Sequence, residues 1–255
     1  MSAELDTFYR FVRTPSAAPR RLVVANRTRS EPIQRLFEAA FEDLPVEVGD
    51  VDFPGTEADL VVLVRDDTVV ATSSLDELLN SYLLINSDRY LTGGIDDATH
   101  DLPAVLTNLD ETTFEVCGYP ETNKGKFLLI AISRYIETRA LHAGTGTLRA
   151  TFQDLSRIDD EVGTRRLYRT LAETDLDVHV YGYQGEVPDD IDVTVHVGDH
   201  DGYRRTWCVV YTPPEGEPGH AALVAIEGDD NEWVGSWTYR PDAVRRLEAV
   251  FDGGF

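Results

Sequence analysis

The hydrophobic positions fall into two rhythms along the chain. Ile33, Leu36, Phe37, Ala40, Phe41 and Leu44 recur at three- and four-residue spacing, which predicts a helix capped at Ser30 with Pro32 in its first turn. Residues 22–26 before it and 46–51 after it read as strands. Two further apolar runs, 60–65 and 68–72, flank Asp66 and Asp67 and predict a hairpin. Ser74 and Glu77 have the spacing of a capping box ahead of Leu75, Leu78, Leu79, Tyr82 and Leu83. The first stretch therefore predicts a β-α-β-β-β-α unit. Residues 1–20, polar and carrying Pro15 and Pro19, predict a leader or a first loose helix, and the polar stretch 92–101 predicts a linker.

Beyond the linker, residues 114–118 predict a short strand. Residues 126–142 predict an amphipathic helix, with Leu128, Ile132, Tyr135 and Ile136 on one face. Leu148, Phe152 and Leu155 predict another helix, reached through a helix–helix turn at Gly144-Thr145-Gly146, and 164–173 predicts one more. The last third changes period. Residues 177–183, 193–197, 206–212, 221–227 and 232–239 read as strands joined by Gly, Pro, Asp and Asn, hence a mostly antiparallel meander. Pro241 then opens a final helix packed by Val244, Leu247 and Phe251. The expected fold class is α/β (α+β): an N-terminal α/β unit over residues 1–95 and a second region over 100–255, the two able to pack as one globule.

Charge changes the picture of the surface. The chain of 255 residues has 46 acidic and 23 basic residues, a net charge of −23, and only Lys124 and Lys126 are lysines. Self-repulsion at this charge weakens a compact state in dilute buffer, whereas molar salt shortens the Debye length to about 3 Å and screens it. An acidic surface nearly free of lysine reads as salt-adapted. The same charge argues against nucleic acid, which calls for a basic stripe, and against anionic membrane surfaces. No apolar run reaches the length of a membrane span, and the acidic N-terminus has no apolar targeting core, so a cytoplasmic protein is expected. Cys117 and Cys208, far apart and in no paired pattern, read as reduced core residues.

Sequence chemistry is sparse. No nucleophile elbow and no zinc-protease helix occur. A phosphate loop at Gly125-Lys126 fails, because Pro120 and Phe127 stand where a glycine and a hydroxyl residue are needed. As the only lysines, Lys124 and Lys126 remain candidates for an anion or partner contact. His196, Asp199, His200 and Asp201 run off a strand into a Gly-Asp turn rather than along a helix, so neither a metal site nor any other cofactor is predicted. His179, between Val178 and Val180, alternates away from the core face. In the final strands Trp207, Glu227, Trp233, Trp237 and Tyr239 fall near one another, and Glu227 ends the apolar string AALVAIE. An aromatic cavity with one carboxylate describes a ligand pocket as well as a core.

Three ordered strings resemble the DICT sensory domain family. They are Ile136-Glu137-Thr138-Arg139-Ala140 with Gly144, Gly146, Leu148 and Phe152-Gln153-Asp154-Leu155-Ser156; Tyr168, Leu171 and Asp177-Val178-His179-Val180-Tyr181-Gly182; and Thr206-Trp207-Cys208-Val209-Val210 with residues 221–227 and Trp237-Thr238-Tyr239. They span residues 105–250, and the N-terminal unit resembles, more loosely, the leading part of haloarchaeal members. The resemblance implies a sensory role in signalling through a small ligand or a protein partner. Arg139, His179, Trp207, Glu227, Trp237 and Tyr239 are the positions carried over as candidate ligand contacts. Cys208 and Ser236 depart from it, each standing where an aromatic is expected. The chain has no kinase, cyclase or DNA-binding segment after its last helix, so the expectation is a stand-alone sensory or regulatory module without catalysis, with a signalling protein as partner and homodimerisation as an option. The alternative is an enzyme using Glu227 and His179 as acid and base, which requires both to reach one cavity. A third reading, a scaffold, requires a filled core. The charge pattern generates one test: the cooperative thermal transition should be lost at low salt and recovered in molar salt, whereas an unchanged melt in dilute buffer contradicts salt adaptation.

Overall fold

Alternation builds the first sheet. In β1 (Arg20–Ala25) Leu22 and Val24 are buried while Arg21 is exposed, so one face of the strand meets a core. The computed structural model describes residues 3–13, 20–41, 44–86, 102–116, 123–160, 162–228 and 232–255. The linker stretch predicted at 92–101 and Cys117 lie outside them. After α1 (Ala3–Val12) and β1, the chain forms α2 (Glu31–Phe41), β2 (Val46–Val51), β3 (Leu60–Arg65), β4 (Thr68–Ser74) and α3 (Leu75–Asn86). The four strands order as β2-β1-β3-β4, with β1 and β2 parallel and the other pairs antiparallel. Asp66 and Asp67 both take left-handed φ, 51° and 57°, which closes the tight hairpin. The capping box forms: Glu77 N–H donates to Ser74 Oγ at 3.1 Å and Ser74 N–H to a Glu77 carboxylate oxygen at 2.9 Å.

The second sheet has seven strands. The chain continues through α4 (Ala104–Thr107), β5 (Phe114–Val116), α5 (Asn123–Ala143), β6 (Thr145–Asp154), α6 (Arg157–Asp160), α7 (Val162–Ala172), β7 (Asp175–Gln184), β8 (Thr194–Val197), α8 (Asp201–Arg205), β9 (Thr206–Thr212), β10 (Ala221–Glu227), β11 (Trp233–Thr238) and α9 (Pro241–Asp252). Strand order is β5-β11-β10-β9-β6-β7-β8. The run from β5 to β6 is antiparallel throughout, and β6-β7-β8 is parallel. The fold is thus α/β with two mixed sheets.

Residues 145–154 correct one expectation. Leu148, Phe152 and Leu155 have helical spacing, but residues 145–154 are β6, and Gly144-Thr145-Gly146 leads from a helix into a strand rather than from a helix to a helix. Gly144 (φ 66°) ends α5, its N–H donating to Ala140 O at 2.9 Å. Gly146 (φ 99°) lets β6 start against β9, since a Cβ there would lie 2.5 Å from Thr212 O. The strand was hidden because both its faces are covered. Leu148 and Ala150 enter the core on one side, and Arg149 is buried on the other, where it bonds Glu248 at 2.8 Å and Asp252 at 2.7 Å on α9. A buried, ion-paired arginine erases the alternation that marks a half-exposed strand.

Helices cover both faces of the seven-stranded sheet. One carries α5, α6 and α7 and shares its core with the first sheet, from Leu22 and Leu63 through Leu106 and Phe114 to Trp237. The other carries α1, α8 and α9, with Leu5, Phe8 and Val12 of α1 packed among Tyr181, Val224, Val244 and Phe251. The first helix of the chain therefore lies on the second sheet. Residues 102–113 stitch the sheets together: Arg65 donates to Asn108 O at 2.8 Å and to Asp110 at 3.1 Å, and Glu111 N–H to Trp237 O at 2.6 Å. Phe114, fully buried, sits opposite Gly235 in the register. A Cβ on Gly235 would lie 2.2 Å from the Phe114 ring. Gly235→Ala should destabilise the protein by about 1–3 kcal/mol in urea unfolding, the usual cost of overpacking. An unchanged midpoint would contradict this packing.

Candidate functional site

The site begins on one stripe of α5. Ile130, Ser133, Arg134 and Glu137 follow i, i+3, i+4, i+7 spacing and face the sheet together. Opposite them stand Ala150, Thr151, Phe152 and Gln153 of β6 and Thr206, Trp207 and Val209 of β9, with Arg157 of α6 and Thr164 of α7 closing the side. These residues enclose a cavity of about 240 Å³.

Its floor is polar and buried. Arg134 bonds the Glu137 carboxylate at 2.9 Å, their side chains being 13% and 5% exposed. The second guanidinium nitrogen of Arg134 donates to Thr164 Oγ1, and Tyr168 OH donates to the other Glu137 oxygen at 2.9 Å. Arg134 and Glu137 on α5 are thus tied to Thr164 and Tyr168 on α7. Burial holds the Tyr168 hydroxyl well above its ordinary pKa, and the neighbouring Glu137 charge adds to that, so it stays a neutral donor. Trp207 Nε1 donates to Ser133 Oγ at 3.0 Å, and the Trp207 ring meets Trp233 edge-on at 6.4 Å.

The rim is set by a strand irregularity. The β6–β7 register shifts around Gln153, which takes a left-handed φ of 59°. Such a bulge re-aims a side chain. Here it lets Gln153 Nε2 donate to Arg204 O at 2.7 Å and to Glu227 Oε2 at 3.0 Å. A non-glycine residue held in this region is strain that the surrounding bonds must offset.

Of the residues singled out in the sequence, Trp207 lines the cavity and Glu227 joins it through Gln153. Arg139, Tyr239, Trp237 and His179 lie elsewhere. Arg139 bonds Tyr135 OH at 3.3 Å and stands 5.9 Å from the Tyr239 ring, which meets Tyr135 edge-on. The Tyr239 hydroxyl is raised well above its ordinary pKa by burial and by Tyr135. Trp237 is fully buried, 5.9 Å from Phe114. Lys124 and Lys126 fall in the first turn of α5, with side chains outside the described residues.

His179 lies on the opposite face of the sheet from the cavity. Its Nδ1 is 2.9 Å from His196 Nε2 and its Nε2 is 2.9 Å from Asp177, and the His196 ring stacks on Tyr181 at 4.3 Å. Burial, then His179, lower the pKa of His196. Glu227 follows Ala221, Leu223 and Ala225 on the cavity face, so it cannot converge with His179, and the acid–base pair of the alternative reading does not form. His200 accepts from Gly202 N–H at 3.2 Å as the cap of α8. Among the described residues no group of three or more His, Cys, Asp or Glu is arranged to hold a metal ion, and no helix is long and apolar enough to cross a membrane.

Sequence reasoning missed Arg134, Glu137, Gln153, Arg157, Thr164 and Tyr168 as site residues. Glu137, Gln153 and Tyr168 stand inside the strings that resemble the family, and that was the signal available.

Residues 104–227 match the DICT family, described as the sensory domain in diguanylate cyclases and two-component system. Every described residue lining the cavity falls inside the matched segment. A search of curated proteins found no match. Among solved structures, the polyphosphate kinase from Porphyromonas gingivalis aligns over 96% of this chain with 11% identity and a TM-score of 0.31, too low to bear on fold or function. The chain spans 47% of that kinase's length.

Proposed function

We propose that the protein is a cytoplasmic sensory module of signal transduction, that it binds a small ligand in the cavity between α5 and the β6–β9 strands, and that it performs no catalysis. The observation that carries this reading is the buried network at the cavity floor, which ties α5 to α7 inside the DICT segment. A cavity walled by aromatic rings with a few fixed polar groups is the usual form of a small-molecule site. The separation of Glu227 from His179 removes the acid–base pair on which the alternative, enzymatic reading rested. Cys208 is buried and its thiol pKa is pushed up to about 12 by that burial, which makes it an unreactive core residue.

The signal follows from the wiring. A ligand polar group that engages Arg134 competes with Thr164 for its second guanidinium nitrogen. Binding then loosens or re-forms the tie to α7, whose solvent side carries Arg166 and Arg169 for a partner to read. Such a ligand shifts the equilibrium only by its difference in affinity for the two arrangements.

Small-molecule mass spectrometry of the purified protein, after exposure to a metabolite extract, tests the reading. A stoichiometric compound should be retained by the wild type and lost from Trp207→Ala, and its binding should change amide exchange in α7. No retained compound, together with no extract-dependent change in melting temperature, would overturn it.

A further inference from the structure

We infer that the cavity selects a small planar monocarboxylate, an aromatic or conjugated ring acid whose carboxylate is taken by Arg157. The inference rests on the ligand-binding reading of the same cavity and adds its chemistry.

Charge gives the first argument. Among the described residues three charged side chains line the cavity: Arg134, Glu137 and Arg157. The first two are ion-paired, and Glu137 also accepts from Tyr168. Arg157 has no ion pair or hydrogen bond among the described residues, while lying near enough to Asp154 to lower its pKa, behind the hydrogen bonds from Gln184 and Ser156. Among the described lining residues Arg157 is therefore the one charge not engaged in an ion pair, in a chain whose net charge is −23. A cation gains nothing from such a spot. A dianion lacks its second countercharge. A monoanion matches it, and the planar fork of a guanidinium matches a carboxylate in two parallel bonds.

The walls give the second. Phe152 and Trp207 both line the cavity. Phe152 is braced edge-on by Tyr168 at 5.2 Å and Trp207 by Trp233 at 6.4 Å, so both rings are fixed before a ligand arrives. Ring faces held in advance favour a flat partner at low entropic cost. Ser133 accepts from Trp207 Nε1, and its own hydroxyl hydrogen has no acceptor among the described residues, which leaves one donor beside the ring for a carboxylate oxygen. At about 240 Å³ the cavity falls below the usual range for drug-sized ligands and suits a one- or two-ring acid.

Titration calorimetry on the full chain, with benzoate and indole-2-carboxylate as probes and benzamide and indole-2-carboxamide as their neutral counterparts, tests the inference. At least one acid should bind, and its amide should bind at least tenfold more weakly. Arg157→Gln should weaken the acid at least tenfold and leave the amide unchanged, with Arg157→Lys in between; melting curves of both variants report whether they fold. Equal affinity for acid and amide, or an acid affinity unchanged in Arg157→Gln, overturns the anionic class while leaving a ligand-binding cavity intact. Binding of neither acid overturns it as well, and the metabolite experiment with Trp207→Ala then decides separately whether the cavity binds anything.

Discussion

The Arg134–Glu137 ion pair is nearly buried between α5 and the sheet, and the architecture around it follows from what two buried charges demand. Charges removed from water need partners for every remaining donor and acceptor, or the desolvation cost exceeds their attraction. Glu137 takes a second donor from Tyr168, and Arg134 gives a second bond to Thr164. Both come from α7, so α7 must lie against α5. That helix closes the β6–β7 connection, and a parallel pair of strands is what such a connection produces. The parallel half of the sheet and the cavity floor are therefore consequences of one arrangement.

The sheet separates two chemistries. On the cavity side, the bulge at Gln153 turns its amide toward Glu227, and Trp207 anchors to Ser133. On the other side, α1, α8 and α9 pack around Tyr181, whose ring stacks on His196, and Arg149 is tied to α9. Groups on opposite faces of one sheet share no cavity, which is why a list of functional-looking residues from neighbouring strands overstates what they can do together.

The elements with a single clear period were legible: the hairpin around Asp66 and Asp67, the capping box at Ser74 and Glu77, the long helix α5, the antiparallel strands β9 to β11 and the Pro241 helix. β6 was not, because an ion-paired Arg149 sits where a strand's polar face should look exposed, while Leu148, Phe152 and Leu155 imitate a helix. The site was legible only at Trp207 and Glu227. Arg134 and Glu137 at i, i+3 on a helix read as a solvated face, and only the tertiary placement of Tyr168 and Thr164 makes them internal. The Gln153 bulge leaves no trace in composition, since a left-handed glutamine is selected by its surroundings rather than by its own preference.

The central claim is that α5 and α7 are energetically coupled through the cavity floor. A double-mutant cycle on Glu137→Gln and Tyr168→Phe, read by urea unfolding, measures that coupling directly. The account predicts that the two losses fail to add by about 1 kcal/mol or more, as for residues within one buried network. Losses that add to within about 0.3 kcal/mol, as independent sites do, would contradict it.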